Sequence, residues 1–284
     1  MAQSLREIKN RIRGISNVNK VTHAMEMISI SKLRPVKNQF LSARQFSLRM
    51  ETLLKDLLSG AKNISHPLLE ERKVLNKMAI CLITSDTGRC GSYNHNVIRV
   101  VEDFINKYGR DKIILITVGK KGLTYFKKRG VDIAHSYTEL HGRYSDEIAG
   151  KILNYLTELF LSGKTDEAYV AYTYFESASR HRPTIEKLLN ISSPASKEDV
   201  GYILEPDMDA ILKELVPAYL FNKVKAYILS AFTAEHSARA VAMGQATKNA
   251  DELVEDLTLL RNKIRQAGIT KEIMEIVSSA EVLR

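Results

Sequence analysis

A chain of 284 residues, 44% of them hydrophobic, can bury one ordinary core or two smaller ones, which excludes a disordered polypeptide. Only 7% of residues are aromatic and Trp is absent, while Ala, Leu, Ile, Lys and Glu recur in long stretches without Pro or Gly, so helix is favoured. The net charge of +9 is concentrated at one end, because residues 1–50 hold ten Lys or Arg against two acids, Glu7 and Glu26.

That basic stripe suits nucleic acid, an anionic membrane surface or an acidic protein cavity, and equally a solvated helix face. No uncharged run approaches the ~18 to 20 apolar residues needed to span a bilayer. Arg6, Lys9, Arg11 and Arg13 interrupt the place where a signal peptide would have its apolar core. A soluble, cytoplasmic chain is expected. Cys81 and Cys90 are too few for a disulfide framework and have no matching His cluster, so reduced thiols are expected.

In chain order, Leu5, Ile8, Ile12, Ile15, Val18, Val21, Met25 and Ile28 fall at steps of three and four. After a phase break, Leu33, Val36, Phe40, Ala43, Phe46, Met50, Leu53 and Leu57 continue the series. The spacing predicts a coiled-coil helix over residues 1–60, roughly 80 Å long at ~1.5 Å per residue, with Pro35 kinking it rather than ending it. Residues 75–200 carry a different pattern. Met78–Thr84 and Ile113–Val118 have the length and β-branching of buried strands, each followed by a helical segment, near Asn94–Lys107 and Gly122–Lys128. A strand over Val131–Ser136, a helix over Ser145–Leu161 and a strand over Glu167–Phe175 continue the alternation. This predicts a small Rossmann-like α/β domain with a mostly parallel sheet. Residues 206–284 predict a second very long helix, with Ala226, Ala231, Ala234, Ala238, Ala240, Ala242, Ala246 and Ala250 allowing close approach of a partner. The fold class is therefore α/β, with a long antiparallel two-helix coiled coil formed by the two ends of the chain and the α/β domain inserted between them.

The chemistry-bearing candidates are few. Leu82–Asn94, reading LITSDTGRCGSYN, follows a strand and precedes a helix, the context of a phosphate-binding turn. It lacks the glycine spacing and the Lys-Ser/Thr of a P-loop, and no acid ends the second strand, where Gly119 and Lys120 stand. A nucleophilic Cys90 has only His95 as a neighbour in sequence. A structural turn that needs its glycines is the expected role. His135, His141 and His181 lie on separate elements, and His23 and His236 on the long helices, so neither a metal nor a cofactor is expected and no catalytic residue is assigned.

The N-terminal LREIKNRIRGISNVNKVTHAMEMISISKL and the C-terminal EHSARAVAMGQATKNADELVEDLTLLRNKIRQAGITKEIMEIVSSA resemble the two ends of the gamma subunit of F-type ATP synthases. LITSDTGRCGSYN and YILEPD resemble that family's middle-domain loop and the entry to its last helix. The resemblance implies a non-catalytic central rotor shaft of a proton-translocating ATP synthase, which couples rotation of the membrane c ring to conformational cycling of the catalytic beta subunits. It implies alpha, beta and epsilon subunits and the c ring as partners, no nucleic acid, and a peripheral place on the cytoplasmic face of a bacterial plasma membrane. By the same resemblance Arg265, Gln266, Thr270 and Glu272, with Lys20 and Met25 on the first helix, face the beta subunit, and Tyr202 and Glu205 face the c ring. His23, Arg261 and the tail VSSAEVLR depart from the family's usual residues, as do Thr87, Arg89 and Ser92 in the loop. A charged Arg261 is expected to alter friction in the bearing. The competing readings are a basic coiled-coil protein that binds nucleic acid and a nucleotide-dependent or thiol enzyme built on the middle domain.

Overall fold

The computed structural model describes residues 5–60, 66–70, 72, 76–191 and 207–282. It divides into two compact units, Met1–Ile28 with Ala240–Arg284, and Ser29–Arg239. Two helices run through both: α1, Leu5–Gly60, and the last helix, α5, Met208–Val282. Pro35 and Pro217 lie inside them and end neither. Pro35 is exposed and so is Ser31, whose carbonyl loses its helical partner, so that oxygen faces solvent rather than a core.

In the larger unit, β1 (Met78–Ile83), β2 (Ile113–Val118), β3 (Ile133–Tyr137), β4 (Glu167–Phe175) and β5 (His181–Leu189) form one sheet in the order β3-β2-β1-β4-β5. The first four are parallel and β5 is antiparallel to β4. The connecting helices are α2 (Tyr93–Tyr108), α3 (Lys120–Lys128) and α4 (Asp146–Leu161). The period of two along β1 divides the core. Ala79, Cys81 and Ile83 pack with α4, α1 and α5, while Ile80 and Leu82 pack with Val97, Val101, Phe126 and the rest of the α2 and α3 side.

All five helices and four of the strands lie where the sequence pattern put them, to within a few residues. β5 is the missed element. His181, Arg182, Pro183, Glu186 and Lys187 break any apolar alternation, and Pro183 is tolerated because β5 is an edge strand. Ser145 caps α4, its hydroxyl accepting from the Ile148 amide at 3.3 Å.

Candidate functional site

The smaller unit is an antiparallel helix pair. Asn19 Nδ2 donates to Thr247 O at 3.1 Å and to Asp251 Oδ1 at 2.8 Å, and the Thr247 and Thr22 hydroxyls are 2.9 Å apart. A Cβ on Gly244 would lie 2.8 Å from Glu26 Oε1, so the backbone approaches α1 closely there. The seam is more polar than its heptad spacing suggests. Val18, Val21 and Ile28, expected in it, are 54–56% exposed, whereas Thr22 and the neighbouring Ser29 are buried. Small hydroxyl side chains that satisfy each other, or their own helix, as Thr22 does on Asn19 O at 2.9 Å, replace branched apolar ones.

From Arg265 to Ala280 every residue of α5 is exposed, on all faces of the helix. Ile269, Ile273, Met274, Ile276 and Val277 are among them, at 49–69%. Arg265, Gln266, Thr270 and Glu272 thus stand on one unpartnered stretch, where the Thr270 hydroxyl returns to Gln266 O at 3.0 Å and leaves the other side chains outward. Lys20 is exposed and Met25 half-buried on α1 of the same unit. Tyr202 and Glu205 lie outside the described residues.

In the larger unit, α5 is buried without a break from Ala226 to Ser237, the mark of a helix with neighbours all round. On one side is α1, in antiparallel register, with Lys32 near Glu235 and Phe40 and Ala43 packed among Ala226, Leu229 and Ala234. On the other is the C-terminal edge of the sheet. The parallel strand order reverses between β1 and β4, and in open α/β sheets that switch point is where ligands bind. Here α5 fills it. Ser230 Oγ accepts from the Phe175 amide at 2.9 Å at the end of β4, Tyr93 Oη donates to Ala231 O at 3.0 Å, and Ser237 Oγ donates to Ala178 O at 3.0 Å. Tyr172 and Tyr227, their rings 4.5 Å apart, donate to the two oxygens of Glu186 at 2.8 and 2.9 Å. Burial and that carboxylate push both phenols well above their ordinary range, so they remain donors.

The loop that looked like a phosphate cradle is the rim of this seat. Arg239 donates from Nη2 to Thr87 O and Thr87 Oγ1, both at 3.1 Å, and to Glu235 at 2.8 Å, and from Nε to Gly88 O at 3.3 Å. Asp86 accepts from the amides of Lys120, Glu139 and His141, tying the loop to the ends of β2 and β3. Arg89 and Gly91 adopt positive φ, 62° and 57°, at the turn. Gly119 has φ +92°, and a Cβ there would sit 2.1 Å from Thr84 O, so no other residue fits. Cys90 is buried and desolvation raises its thiol, which removes the thiolate a nucleophile needs; Cys81, wholly buried, is pushed up to about 12. No group of His, Cys, Asp or Glu suited to a metal occurs among the described residues. None of their helices is long and apolar enough to cross a membrane.

Sequence reasoning missed the seat's charged members, Glu235 and Arg239, both under 10% exposed, and the buried His236. Their i, i+4 spacing inside an Ala-rich stretch was the available signal.

A family model described as ATP synthase matches residues 4–283. The ATP synthase gamma chain of Moorella thermoacetica is 38% identical over 281 residues, covering 99% of each chain. The chain belongs to the ATP synthase gamma chain family. The gamma chain of Protochlamydia amoebophila is 37% identical, again over 99% of both. A chain of the Euglena gracilis mitochondrial ATP synthase, in an OSCP/F1/c-ring assembly seen by cryo-EM, shares the fold. Its TM-score is 0.70 at 19% identity, over 98% of this chain and 94% of that one. Nothing in these likenesses supports a nucleic-acid-binding role.

Proposed function

We propose that this chain is the central rotor shaft of an F-type ATP synthase, a subunit that makes and breaks no bond itself. The observation that carries the reading, beyond family membership, is the stretch Arg265–Ala280: a continuous helix, apolar and charged residues interleaved, that no other described residue covers. A helix this exposed fits a cavity supplied by other subunits, and the basic first helix fits a ring of acidic loops. In this reading α5 and α1 stand inside a hexamer of alternating alpha and beta subunits, while the α/β domain meets the epsilon subunit and the membrane c ring. The segments 1–60, 75–200 and 206–284 are its functional parts, and the complex sits on the cytoplasmic face of a bacterial plasma membrane.

The mechanism is differential contact. A single asymmetric helix pair presents a different surface to each of three equivalent beta subunits, so each angular position favours a different beta conformation. Arg265 suits a grip on an acidic loop because its planar guanidinium binds a carboxylate through two parallel hydrogen bonds. Gln266, Thr270 and Glu272 add polar contacts on the same stretch, and Lys20 and Met25 meet the beta subunit from α1. Tyr202 and Glu205 are assigned to the c-ring contact.

Affinity purification of the tagged chain from detergent-solubilised membranes of its own cell, with copy numbers read by mass spectrometry, tests this. Three alpha and three beta chains per tagged copy, with epsilon and a c ring, are expected. Recovery of the chain alone or with nucleic acid refutes the assignment.

A further inference from the structure

Glu235 and His236 are adjacent on α5, both about 1–2% exposed, and each has one polar atom without a partner, Oε2 of Glu235 and Nδ1 of His236. Neither belongs to the surfaces assigned to other subunits. Glu235 faces Arg239 on its own helix, Lys32 on α1, Asp86 and Cys90 in the β1–α2 loop, and Tyr93 at the start of α2. His236 Nε2 is 3.1 Å from Gly142 O, in the segment between β3 and α4, with Arg239 and Lys32 as nearby cations. The two segments that cover these side chains are joined to each other. Asp86, next to the Arg239-bound Thr87, accepts the amides of Glu139 and His141, one residue from Gly142. Lifting the loop from α5 therefore uncovers both groups together.

We propose that Glu235 and His236 form a charge-compensated latch, in which opening of the loop releases a proton from one and loads a proton on the other, so that the seating of α5 against the sheet is indifferent to pH. Closed, the seat holds a protonated Glu235 and a neutral His236; opened to water, it holds the carboxylate and the imidazolium. Desolvation sets both states. It raises Glu235 from the ordinary 4.5 to about 7 against the pull of Arg239, and lowers His236 from 6.5 to about 4. A closed-state proton on Glu235 makes opening easier as pH rises, and an open-state proton on His236 makes opening easier as pH falls. Between the ordinary values of the two groups, 4.5 and 6.5, they act with opposite slope. The inference rests on the fold and not on the rotor assignment.

Amide hydrogen exchange of the full-length chain, followed over residues 84–91 and 139–145 from pH 5 to 6.5 and corrected for intrinsic rates, is the test. In the unsubstituted chain the opening constant stays level across that range. Glu235→Gln, isosteric with the neutral acid, leaves His236 alone, so opening rises by up to about tenfold per unit as pH falls. His236→Gln leaves Glu235 alone, and opening rises by up to about tenfold per unit as pH increases. Glu235→Asp, which keeps the acid, stays level. Opposite slopes in the two Gln variants establish the latch. A level profile in either of them, or a slope in the unsubstituted chain, overturns it.

Discussion

Replacing Arg239 by Met separates the two jobs of its guanidinium. The side chain is 8% exposed and Glu235, its partner at 2.8 Å, is 2% exposed, so the two form a buried ion pair whenever Glu235 is ionised. Removing one member strands the other, at a cost of about 3–5 kcal/mol where Glu235 must stay charged. A carboxyl can escape that cost by taking a proton. Burial raises its folded-state value above the ordinary 4.5 to about 7 even with Arg239 present, and loss of the guanidinium raises it further. The sign follows. A group with a raised value contributes stability in full below its unfolded value and loses it as pH rises through its folded value. In the variant that loss extends to higher pH, so the gap from the unsubstituted chain widens above neutrality. At pH 5 both forms hold a neutral Glu235, and only the Thr87 and Gly88 oxygens are left short of a donor, costing about 1–3 kcal/mol. Urea unfolding of the full-length chain by circular dichroism, at pH 5 and pH 8 and one ionic strength, measures both. A difference that is the same at the two pH values, or below about 1 kcal/mol at pH 8, refutes the account.

Phe40, 2% exposed and edge-on to Tyr174 and Phe175, plugs the seat from the α1 side, and Phe40→Ala should cost about 3–5 kcal/mol in the same unfolding assay. Gly142→Ala should destabilise more than a surface change, because φ is +67° and the new Cβ would sit 2.5 Å from His236 Nε2; a thermal midpoint within a degree or so of the parent would count against the geometry. At Asp166, burial pushes the carboxyl up, but the Lys77 and Asn76 amides and Arg72 outweigh it and hold it below the ordinary 3.8. Its stabilisation is present above that value and lost as pH falls through the folded one, so Asp166→Asn should cost about 1–3 kcal/mol at pH 7 and progressively less in acid. Arg261, half-buried on α5, should change the torque of the assembled motor when replaced by Tyr, read by single-molecule rotation; unchanged torque would remove it from the bearing.

Most of the fold was legible because its signals are local. Met78–Ile83 and Glu167–Phe175 are apolar runs that no other element competes for, and Ser145 before Asp146 announces a helix start. β5 was hidden because an edge strand need bury only one face, and tolerates Pro183 and four charged or titratable side chains. The seam was half legible. Heptad spacing assigns Val21 inward, yet the helix pair chose Asn19 and Thr22, whose polar partners on α5 cannot be seen from α1 alone, and set Glu26 against the bare backbone of Gly244. The loop Leu82–Asn94 misled in an instructive way. Its glycines and its position after a strand are those of a ligand cradle, and the sheet does present a switch point there. What sequence order conceals is that the ligand is the chain's own helix, more than a hundred residues away.

That substitution of a helix for a ligand has a mechanical consequence. Along one buried stretch, α5 is tied to the sheet at Tyr227 through Glu186, at Ser230 to the end of β4, at Ala231 to Tyr93, and at Arg239 to the β1–α2 loop. These ties are spread over several helical turns and reach different strands and loops, so a shift of the helix along its axis strains all of them together. A slide of the helix by one turn, about 5.4 Å, would exceed the length of every hydrogen bond in the set at once. Small residues at Ala226, Ala231 and Ala234 bring the backbone close enough for carbonyls as well as side chains to take part. In the larger unit, helix and sheet are therefore built to turn as one piece.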